Sequence, residues 1–221
     1  MKLGLASNFH DEIGNIKPIW NIFENVVDQW TVVDSGSTDG TQERLREVVG
    51  DKLNLVESNK IRIPEYGYGY ARTNLVEESK NMDWVLIVDG DERMLPEDIM
   101  KIRSIIRANE NADIIFLPRC HYQNWEMTEV EYGNMDTLGT DWREAIKINP
   151  DWQPRLIKRT IMSDGGSKVY FERPVHEVAC GVDIQIQDAE NSPIIRHFGW
   201  MKSPERLRMI SNLCRKLEGL D

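Results

Sequence analysis

The chain has 221 residues, of which 40% are hydrophobic and 29% are charged, and its formal net charge is −10. The acidic balance argues against a nucleic-acid-binding protein, because such proteins usually present a basic face. The 3 cysteines, Cys120, Cys180 and Cys214, are far apart and form no Cys-x-x-Cys motif, so neither a disulfide framework nor a zinc site is expected. No signal peptide is apparent, and no apolar run approaches the roughly 20 residues that span a bilayer. We therefore expect a cytoplasmic protein with at most peripheral contact at the cytosolic face of a membrane.

Short apolar runs alternate with helical patterns in the first half of the chain. In chain order, the predicted elements are strand 2–6, helix 13–27, strand 30–33, helix 41–49, strand 53–56, helix 72–81, strand 84–88, helix 96–108 and strand 113–117. This alternation predicts an α/β fold with a mostly parallel central sheet and helices on both faces.

The second half is less regular, and we expect short strands and loops over residues 119–202. A closing helix is predicted over 203–221, with apolar residues on one side. This helix either packs on the core or, with its flanking basic residues, binds weakly at a membrane surface. No internal repeat or low-complexity linker interrupts the chain, so residues 1–221 are predicted to form a single domain.

The sequence Asp89-Gly90-Asp91-Glu92 follows directly after an apolar run that is long enough for one buried strand. Like charges placed together at a strand end are costly unless a cation or a hydrogen-bond network compensates them. Mg²⁺ and Mn²⁺ prefer oxygen ligands, and Mg²⁺ is often held by carboxylates together with phosphate oxygens. The motif therefore indicates a Mg²⁺ or Mn²⁺ site that carries a phosphorylated ligand, and an Asp-Gly hairpin turn is the alternative.

A second polar loop, residues 34–41, joins a predicted strand to a predicted helix and contains Asp34 and Asp39. The start of a helix offers free N–H groups and a positive end to an anionic ligand. Asp39 either caps this helix or accepts hydrogen bonds from a nucleobase or a ribose.

Aromatic residues suggest two further binding surfaces. The tyrosines of residues 64–70 alternate with glycine, which predicts a flexible loop whose rings stack on a base or a sugar, or else pack on the protein. Trp125, Trp142 and Trp152 either form a platform for a second substrate or belong to the core.

Residues 32–41, 71–74 and 84–92 resemble the motifs of glycosyltransferase family 2, and most of all the branch of lipopolysaccharide core glucosyltransferases. Weaker similarity continues at residues 154–159 and 175–177. The chain departs from the family pattern in two places: Thr73 stands where the family usually reads Arg-Asn directly, and the usual Glu-Asp base motif is absent.

The resemblance implies a GT-A fold and an inverting hexosyltransferase-like enzyme that uses a nucleotide-diphosphate sugar, with UDP or GDP as the nucleotide. The acceptor is expected to be a hydroxyl of a glycan or a glycolipid, and the cofactor Mn²⁺ or Mg²⁺. Residues 1–118 would form the nucleotide-binding half and residues 119–202 the acceptor half.

The resemblance also implies roles for individual residues. Asp91 is expected to be the main metal ligand, and Asp89 to face the ribose or a metal-bound water. His197 would complete the metal shell, or is simply a partly buried histidine with satisfied hydrogen bonds. The residues expected to bind the donor are Ser7, Asn8, Glu12, Asp34, Asp39, Arg72, Asp89, Gly90 and Arg155.

Sugar transfer passes through an oxocarbenium-like state, and the acceptor hydroxyl needs a general base. Glu177 is our choice, because it follows the metal motif and precedes His197 in the chain; Asp151 and Glu172 are weaker candidates. The alternative for Glu177 is an exposed position on a strand. Arg155 or Arg159 would stabilise the leaving diphosphate.

Two other functions are compatible with parts of this pattern. A sugar-nucleotide nucleotidyltransferase would need a Gly-rich loop with a basic residue after the first strand, and residues 6–12 lack both. A non-catalytic carbohydrate-binding module on a transferase fold is the other alternative, although the acidic motifs are intact.

Overall fold

The structure is a computed structural model that describes residues 1–56, 63–123, 146–147, 151–188, 190–198 and 204–220. Within this part of the chain, ten strands form one mixed sheet and two more form a separate hairpin. The strands are β1 (Leu3–Phe9), β2 (Gln29–Asp34), β3 (Leu53–Val56), β4 (Trp84–Ile87), β5 (Glu92–Arg93), β6 (Ile114–Gln123), β7 (Ile146–Lys147), β8 (Asp151–Lys158), β9 (Tyr170–Glu172), β10 (Val178–Cys180), β11 (Gln185–Gln187) and β12 (Ile195–His197). The helices are α1 (Ile16–Phe23), α2 (Thr41–Val49), α3 (Ile63–Glu78), α4 (Pro96–Ala108) and α5 (Pro204–Leu217).

The first half of the sheet is parallel, as predicted. Strand β1 lies between β2 and β4 and is parallel to both, and β3 extends the sheet beyond β2. Because the carboxyl ends of parallel strands meet at one edge, the residues after β1, β2 and β4 lie together there. This edge of the sheet carries the polar motifs of the sequence.

The second half of the sheet changes direction. Strand β8 is antiparallel to β4 and β6 on its two sides, and β12 then pairs parallel to β6 and antiparallel to β5. Strands β11 and β7 also pair with β6, while β9 and β10 form the separate hairpin. The irregular half of the sequence therefore completes the sheet and brings β5 and β12 beside the end of β4.

Helices cover both faces of the sheet, as the strand–helix alternation predicted. Apolar residues of α1, α2 and α4 pack on one face together with Trp30 and Leu86, and those of α3 pack on the other face with Val85 and Ile87. The predicted helix 13–27 is shorter than expected, because a 3₁₀ turn at Ile13–Asn15 precedes α1 and the chain leaves the helix after Phe23. A second 3₁₀ turn, Gly50–Lys52, connects α2 to β3.

The predicted tyrosine loop is wrong, because residues 63–70 are the first turns of α3. The helix has one non-helical residue, Gly67, with φ of 81°. A Cβ atom on Gly67 would lie 2.3 Å from the Cα atom of Pro174, and one on Gly69 would lie 2.4 Å from the carbonyl oxygen of Arg173. The N–H of Tyr68 donates to the carbonyl of Pro174 at 2.8 Å. The glycines therefore let α3 dock closely on the loop that leads to Glu177.

Among the described residues, no helix combines the length and the apolar character that crossing a bilayer requires.

Candidate active site

A cavity of about 710 Å³ lies at the carboxyl ends of β1 and β4. Its walls differ in chemistry. One wall is polar and contains side chains from several elements: Arg72, Asp89, Asp91, Arg119, Glu177 and His197. Apolar side chains also line the cavity, among them Met209, Ile210 and Leu213 of α5. Such a cavity, with a few convergent polar groups, is the expected form of a ligand site at this edge of an α/β sheet.

Arg72 joins two acidic residues at the centre of the polar wall. Its Nη2 atom lies 2.7 Å from Oδ2 of Asp89, and its Nε atom lies 2.9 Å from Oε1 of Glu177. Burial raises the pKa of Asp89, but the charges of Arg72 and Arg155 outweigh burial and hold the pKa at about 2. Burial likewise raises the pKa of Glu177, but Arg72 and a backbone hydrogen bond together outweigh burial, so this pKa lies below its ordinary value. Both carboxylates are therefore ionised at neutral pH.

Glu92, the last acidic residue of the motif, has a structural role. Its Oε1 atom accepts a 2.6 Å hydrogen bond from Arg155, and its Oε2 atom accepts one of 2.9 Å from the backbone N–H of Asp89. Arg155 also donates to Asp89 at 3.2 Å. Burial is the main reason that the pKa of Glu92 is raised. Buried arginines thus compensate much of the negative charge that clusters after β4. From the sequence, a bound cation was expected in that role.

The metal ligands predicted from the sequence come together only in part. Nε2 of His197 lies 3.7 Å from Oδ2 of Asp91, and the N–H of Phe198 donates to the carbonyl of Asp91 at 2.9 Å. Asp89 does not join them, because its carboxylate pairs with Arg72 and Arg155. Within the described ranges, no group of three or more His, Cys, Asp or Glu side chains is placed to hold an ion. One carboxylate and one imidazole nitrogen fit a divalent ion such as Mn²⁺ when phosphate oxygens supply further ligands.

Sequence reasoning missed His121 and the role of Asp151. Nδ1 of His121 lies 2.8 Å from Nδ1 of His197, and its Nε2 lies 3.3 Å from Oδ1 of Asp151. Arg119 makes two hydrogen bonds to Asp151, at 3.2 Å and 2.9 Å. No local sequence pattern predicts this cluster, because its residues become neighbours only when β6 pairs with β8 and β12. Asp151, a weaker candidate for the base, is occupied by these partners.

Some predicted donor-binding residues line the cavity and others do not. Asn8, Glu12 and Gly90 are in its wall. Both amide atoms of Asn8 are buried and have no hydrogen-bond partner within the part of the chain that the structure describes, which leaves a donor and an acceptor for a ligand. A Cβ atom on Gly90 would lie 3.1 Å from Cγ of Glu12, so this position favours glycine.

Ser7 does not border the cavity, contrary to the expectation from the resemblance. It is fully buried, and its hydroxyl donates to the carbonyl of Val88 and accepts a 2.9 Å hydrogen bond from Nε1 of Trp30. Arg155 is also buried behind the wall, where it supports Asp89 and Glu92. Arg159 donates to the last carbonyls of α3, at Val76 and Glu77, and is not in the described wall of the cavity.

The two aspartates of the loop after β2 accept hydrogen bonds from nearby backbone N–H groups. Asp34 is buried and accepts hydrogen bonds from the N–H groups of Gly36 and Ser37, both at 3.0 Å. Asp39 accepts from the N–H groups of Thr41 and Ile13, although the N-cap residue of α2 is Gly40 and makes no side-chain capping bond. Neither aspartate is among the described residues that line the cavity.

The aromatic surfaces have separate outcomes. Tyr68 lines the cavity, whereas Tyr66 and Tyr70 are exposed and place their ring centroids 5.0 Å apart. Trp152 lies in β8, and the predictions for Trp125 and Trp142 fall outside the described residues.

The profile of a protein family described as Glycosyl transferase family 2 matches residues 12–176. The chain belongs to this family. No curated protein matches the chain in sequence. The prediction of the family is confirmed, and the narrower likeness to the lipopolysaccharide core branch stays a prediction.

Solved glycosyltransferase structures have the same fold as this family 2 chain. The structure of S. aureus TarS 1-349 aligns with a TM-score of 0.56 and 14% identity over 98% of this chain and 65% of its own. A longer S. aureus TarS structure aligns with a TM-score of 0.57 and 15% identity over 98% of this chain and 39% of its own. The chain thus spans less than two thirds of the length of either TarS structure.

A third structure is glucosyl-3-phosphoglycerate synthase from Mycobacterium tuberculosis, in complex with Mn²⁺, UDP and glucosyl-3-phosphoglycerate. It aligns with a TM-score of 0.52 and 13% identity over 99% of this chain and 78% of its own. At these identities the likeness concerns the fold, and the predicted GT-A fold is confirmed.

Proposed function

We propose that this family 2 chain transfers a sugar from a nucleotide diphosphate to a hydroxyl of a glycan or glycolipid, with inversion at the anomeric carbon. One observation carries the proposal: the Arg72–Glu177 pair and the Asp91–His197 pair line one cavity at the carboxyl ends of β1 and β4. A carboxylate near a cation-binding pair is what glycosyl transfer to an alcohol requires, because a proton is removed while a diphosphate departs.

The donor is proposed to be a UDP- or GDP-sugar. Asn8, near the carboxyl end of β1, and Glu12, after that strand, line the cavity together with Gly90, and the amide of Asn8 offers one donor and one acceptor. A UDP complex of the fold neighbour from Mycobacterium tuberculosis supports UDP in particular.

Asp91 and His197 are the residues that would hold Mn²⁺ or Mg²⁺. Such a cation, when bound, stabilises the negative charge that develops on the leaving diphosphate. The choice of a divalent cation is supported by the carboxylate and imidazole nitrogen that face each other here, and by the Mn²⁺ in the neighbouring complex.

Glu177 is proposed to accept the proton of the acceptor hydroxyl. Arg72 holds it ionised in this structure, at 2.9 Å, and also contacts Asp89. A diphosphate in the cavity offers Arg72 a stronger anionic partner, since Arg binds phosphate oxygens in a bidentate way. Movement of Arg72 towards that diphosphate leaves Glu177 less tightly paired and more basic.

The test is a panel of nucleotide sugars, incubated with the chain in the presence and absence of Mn²⁺, with release of the nucleotide diphosphate as the readout. We expect release from one or a few donors and a shift in melting temperature with the matching nucleotide and Mn²⁺. A chain that binds glycans but neither binds nor cleaves any nucleotide sugar would instead be a carbohydrate-binding module.

A further inference from the structure

A second histidine lies behind the proposed cation-binding pair. Four side chains form a continuous row from Asp151 through His121 and His197 to Asp91. The successive separations are 3.3 Å from Oδ1 of Asp151 to Nε2 of His121, 2.8 Å between the two Nδ1 atoms, and 3.7 Å from Nε2 of His197 to Oδ2 of Asp91. Each histidine therefore has one nitrogen facing the other histidine and one facing a carboxylate.

The chemistry of this row restricts where the imidazole hydrogens lie. Two Nδ1 atoms at hydrogen-bond distance hold one hydrogen between them, so one histidine donates and the other accepts. Asp151 is ionised: burial raises its pKa, but hydrogen bonds from His121 and Arg119 outweigh burial and keep this pKa below its ordinary value. An ionised carboxylate only accepts. Nε2 of His121 lies 3.3 Å from Asp151, within hydrogen-bond distance, whereas Nε2 of His197 lies 3.7 Å from Asp91, beyond that distance, so the hydrogen is assigned to Nε2 of His121.

The remaining positions follow from that first hydrogen. A neutral His121 with a hydrogen on Nε2 has a bare Nδ1, which accepts the Nδ1 hydrogen of His197. His197 then has a bare Nε2, and this is the atom that faces Asp91. A metal ion binds an imidazole through such a bare nitrogen, and the hydrogen bond made by the other nitrogen decides which one is bare.

We propose that Asp151 and His121 are positioning residues that fix His197 in its Nδ1–H tautomer and so present a bare Nε2 beside Asp91 to a divalent cation. This inference rests on the proposed function for the identity of the ligand. The tautomer itself is a property of the metal-free chain and can be measured without any substrate.

The fold holds the row in place. His121 and His197 are register partners on the parallel strands β6 and β12, and Arg119 and Asp151 are register partners on β6 and β8. The two rings are mostly buried and meet nearly at right angles, with an interplanar angle of 84°. Asp151 is more exposed, but two hydrogen bonds from Arg119 fix its carboxylate.

The first experiment is ¹⁵N NMR of the histidine side chains in the metal-free chain. The chain has only 4 histidines, so each can be assigned by the signal that its own substitution removes. We expect a hydrogen on Nδ1 of His197 and on Nε2 of His121. A hydrogen on Nε2 of His197 would overturn the proposal.

The second experiment measures Mn²⁺ affinity by electron paramagnetic resonance in the presence of UDP, for His121→Leu, His121→Asn and His197→Ala. Loss of an outer partner of a metal-bound histidine typically weakens metal binding about 10–100-fold, and we expect this of His121→Leu. His121→Asn should stay close to the parent chain, because its amide oxygen can accept the Nδ1 hydrogen of His197. UDP affinity without metal serves as the control for folding in each variant.

The outcomes separate this inference from the proposed function. If His197→Ala weakens Mn²⁺ binding and His121→Leu does not, the positioning role is wrong and the metal site remains. If neither substitution changes Mn²⁺ affinity, His197 is not a ligand and the inference fails with that assignment. If the parent chain binds no nucleotide diphosphate, the proposed function fails, while the NMR measurement still decides the tautomer.

Discussion

The Nε atom of Arg72 lies 2.9 Å from Oε1 of Glu177, although the two residues are 105 positions apart in the chain. The contact depends on two glycines of α3, which allow the loop before Glu177 to approach the helix. Arg72 simultaneously donates to Asp89 at 2.7 Å. The proposed base and the acidic motif after β4 are therefore connected through one guanidinium group.

Glu177→Gln is expected to slow sugar transfer by roughly 10²–10⁴-fold, because the acceptor loses its general base. Binding of the nucleotide diphosphate should change little. The measurement is kcat for transfer together with the Kd for the nucleotide. Glu172→Gln is the matched control, since Glu172 is an exposed glutamate on β9 and was a weaker candidate for the base. Near-normal transfer by Glu177→Gln would move the base elsewhere.

Arg72→Gln is expected to shift the pH dependence of kcat/KM, which reports the pKa values of the free enzyme. Arg72 lowers the pKa of Glu177, so its removal raises that pKa. A general base works in its ionised form, and the acidic limb of the profile should therefore move to higher pH. The comparison is kcat/KM against pH for the parent chain and the variant. An acidic limb that stays in place while the rate falls would mean that Arg72 acts on the donor alone.

Asp91→Asn and Asp89→Asn are expected to have different effects, the first on Mn²⁺ binding and the second on thermal stability. Asp91→Asn should weaken Mn²⁺ binding in the presence of UDP and leave the melting temperature nearly unchanged. Asp89→Asn should lower the melting temperature, because Arg72 and Arg155 lose a buried carboxylate partner. Calorimetric titration with Mn²⁺ and thermal unfolding of both variants measure this. If both variants lose Mn²⁺ affinity equally and neither loses stability, Asp89 is a metal ligand as well as Asp91.

Gly67→Ala is expected to destabilise the chain more than Gly165→Ala. Both glycines have positive φ, 81° and 88°, so both substitutions strain the backbone, at a cost of about 1–3 kcal/mol. A Cβ atom on Gly67 would also collide with Pro174, whereas one on Gly165 meets nothing within 4 Å. Urea unfolding gives the difference in the free energy of unfolding. Similar losses in the two variants would show that the docking of α3 on Pro174 contributes little.

Much of the first half of the fold was predictable from the sequence. The bounds of α2, β3 and α4 match the prediction, because apolar periodicity and a proline at the start of α4 mark them clearly. The start of α3 was missed, since alternating glycine and tyrosine are typical of a loop. Tertiary contact with residues 173–174 overrides that local preference.

The site was predictable where its residues lie in a local motif. Asp89, Asp91, Arg72 and Glu177 do line one cavity. Ser7 and Arg155 were misplaced, because position at a strand end does not reveal whether a side chain faces a ligand or the interior. His121 was missed, since its partners His197 and Asp151 become neighbours only through strand pairing late in the chain.

Glu92 has a consequence for any mutational scan of this chain. Its buried carboxylate pairs with Arg155 and accepts a hydrogen bond from the backbone N–H of Asp89. A substitution at position 92 would therefore leave the positive charge of Arg155 less compensated inside the protein. Screening by activity would rank position 92 beside position 91, as though both touched the substrate. Measuring the yield of folded protein for each variant would distinguish a variant that folds but is inactive from one that does not fold.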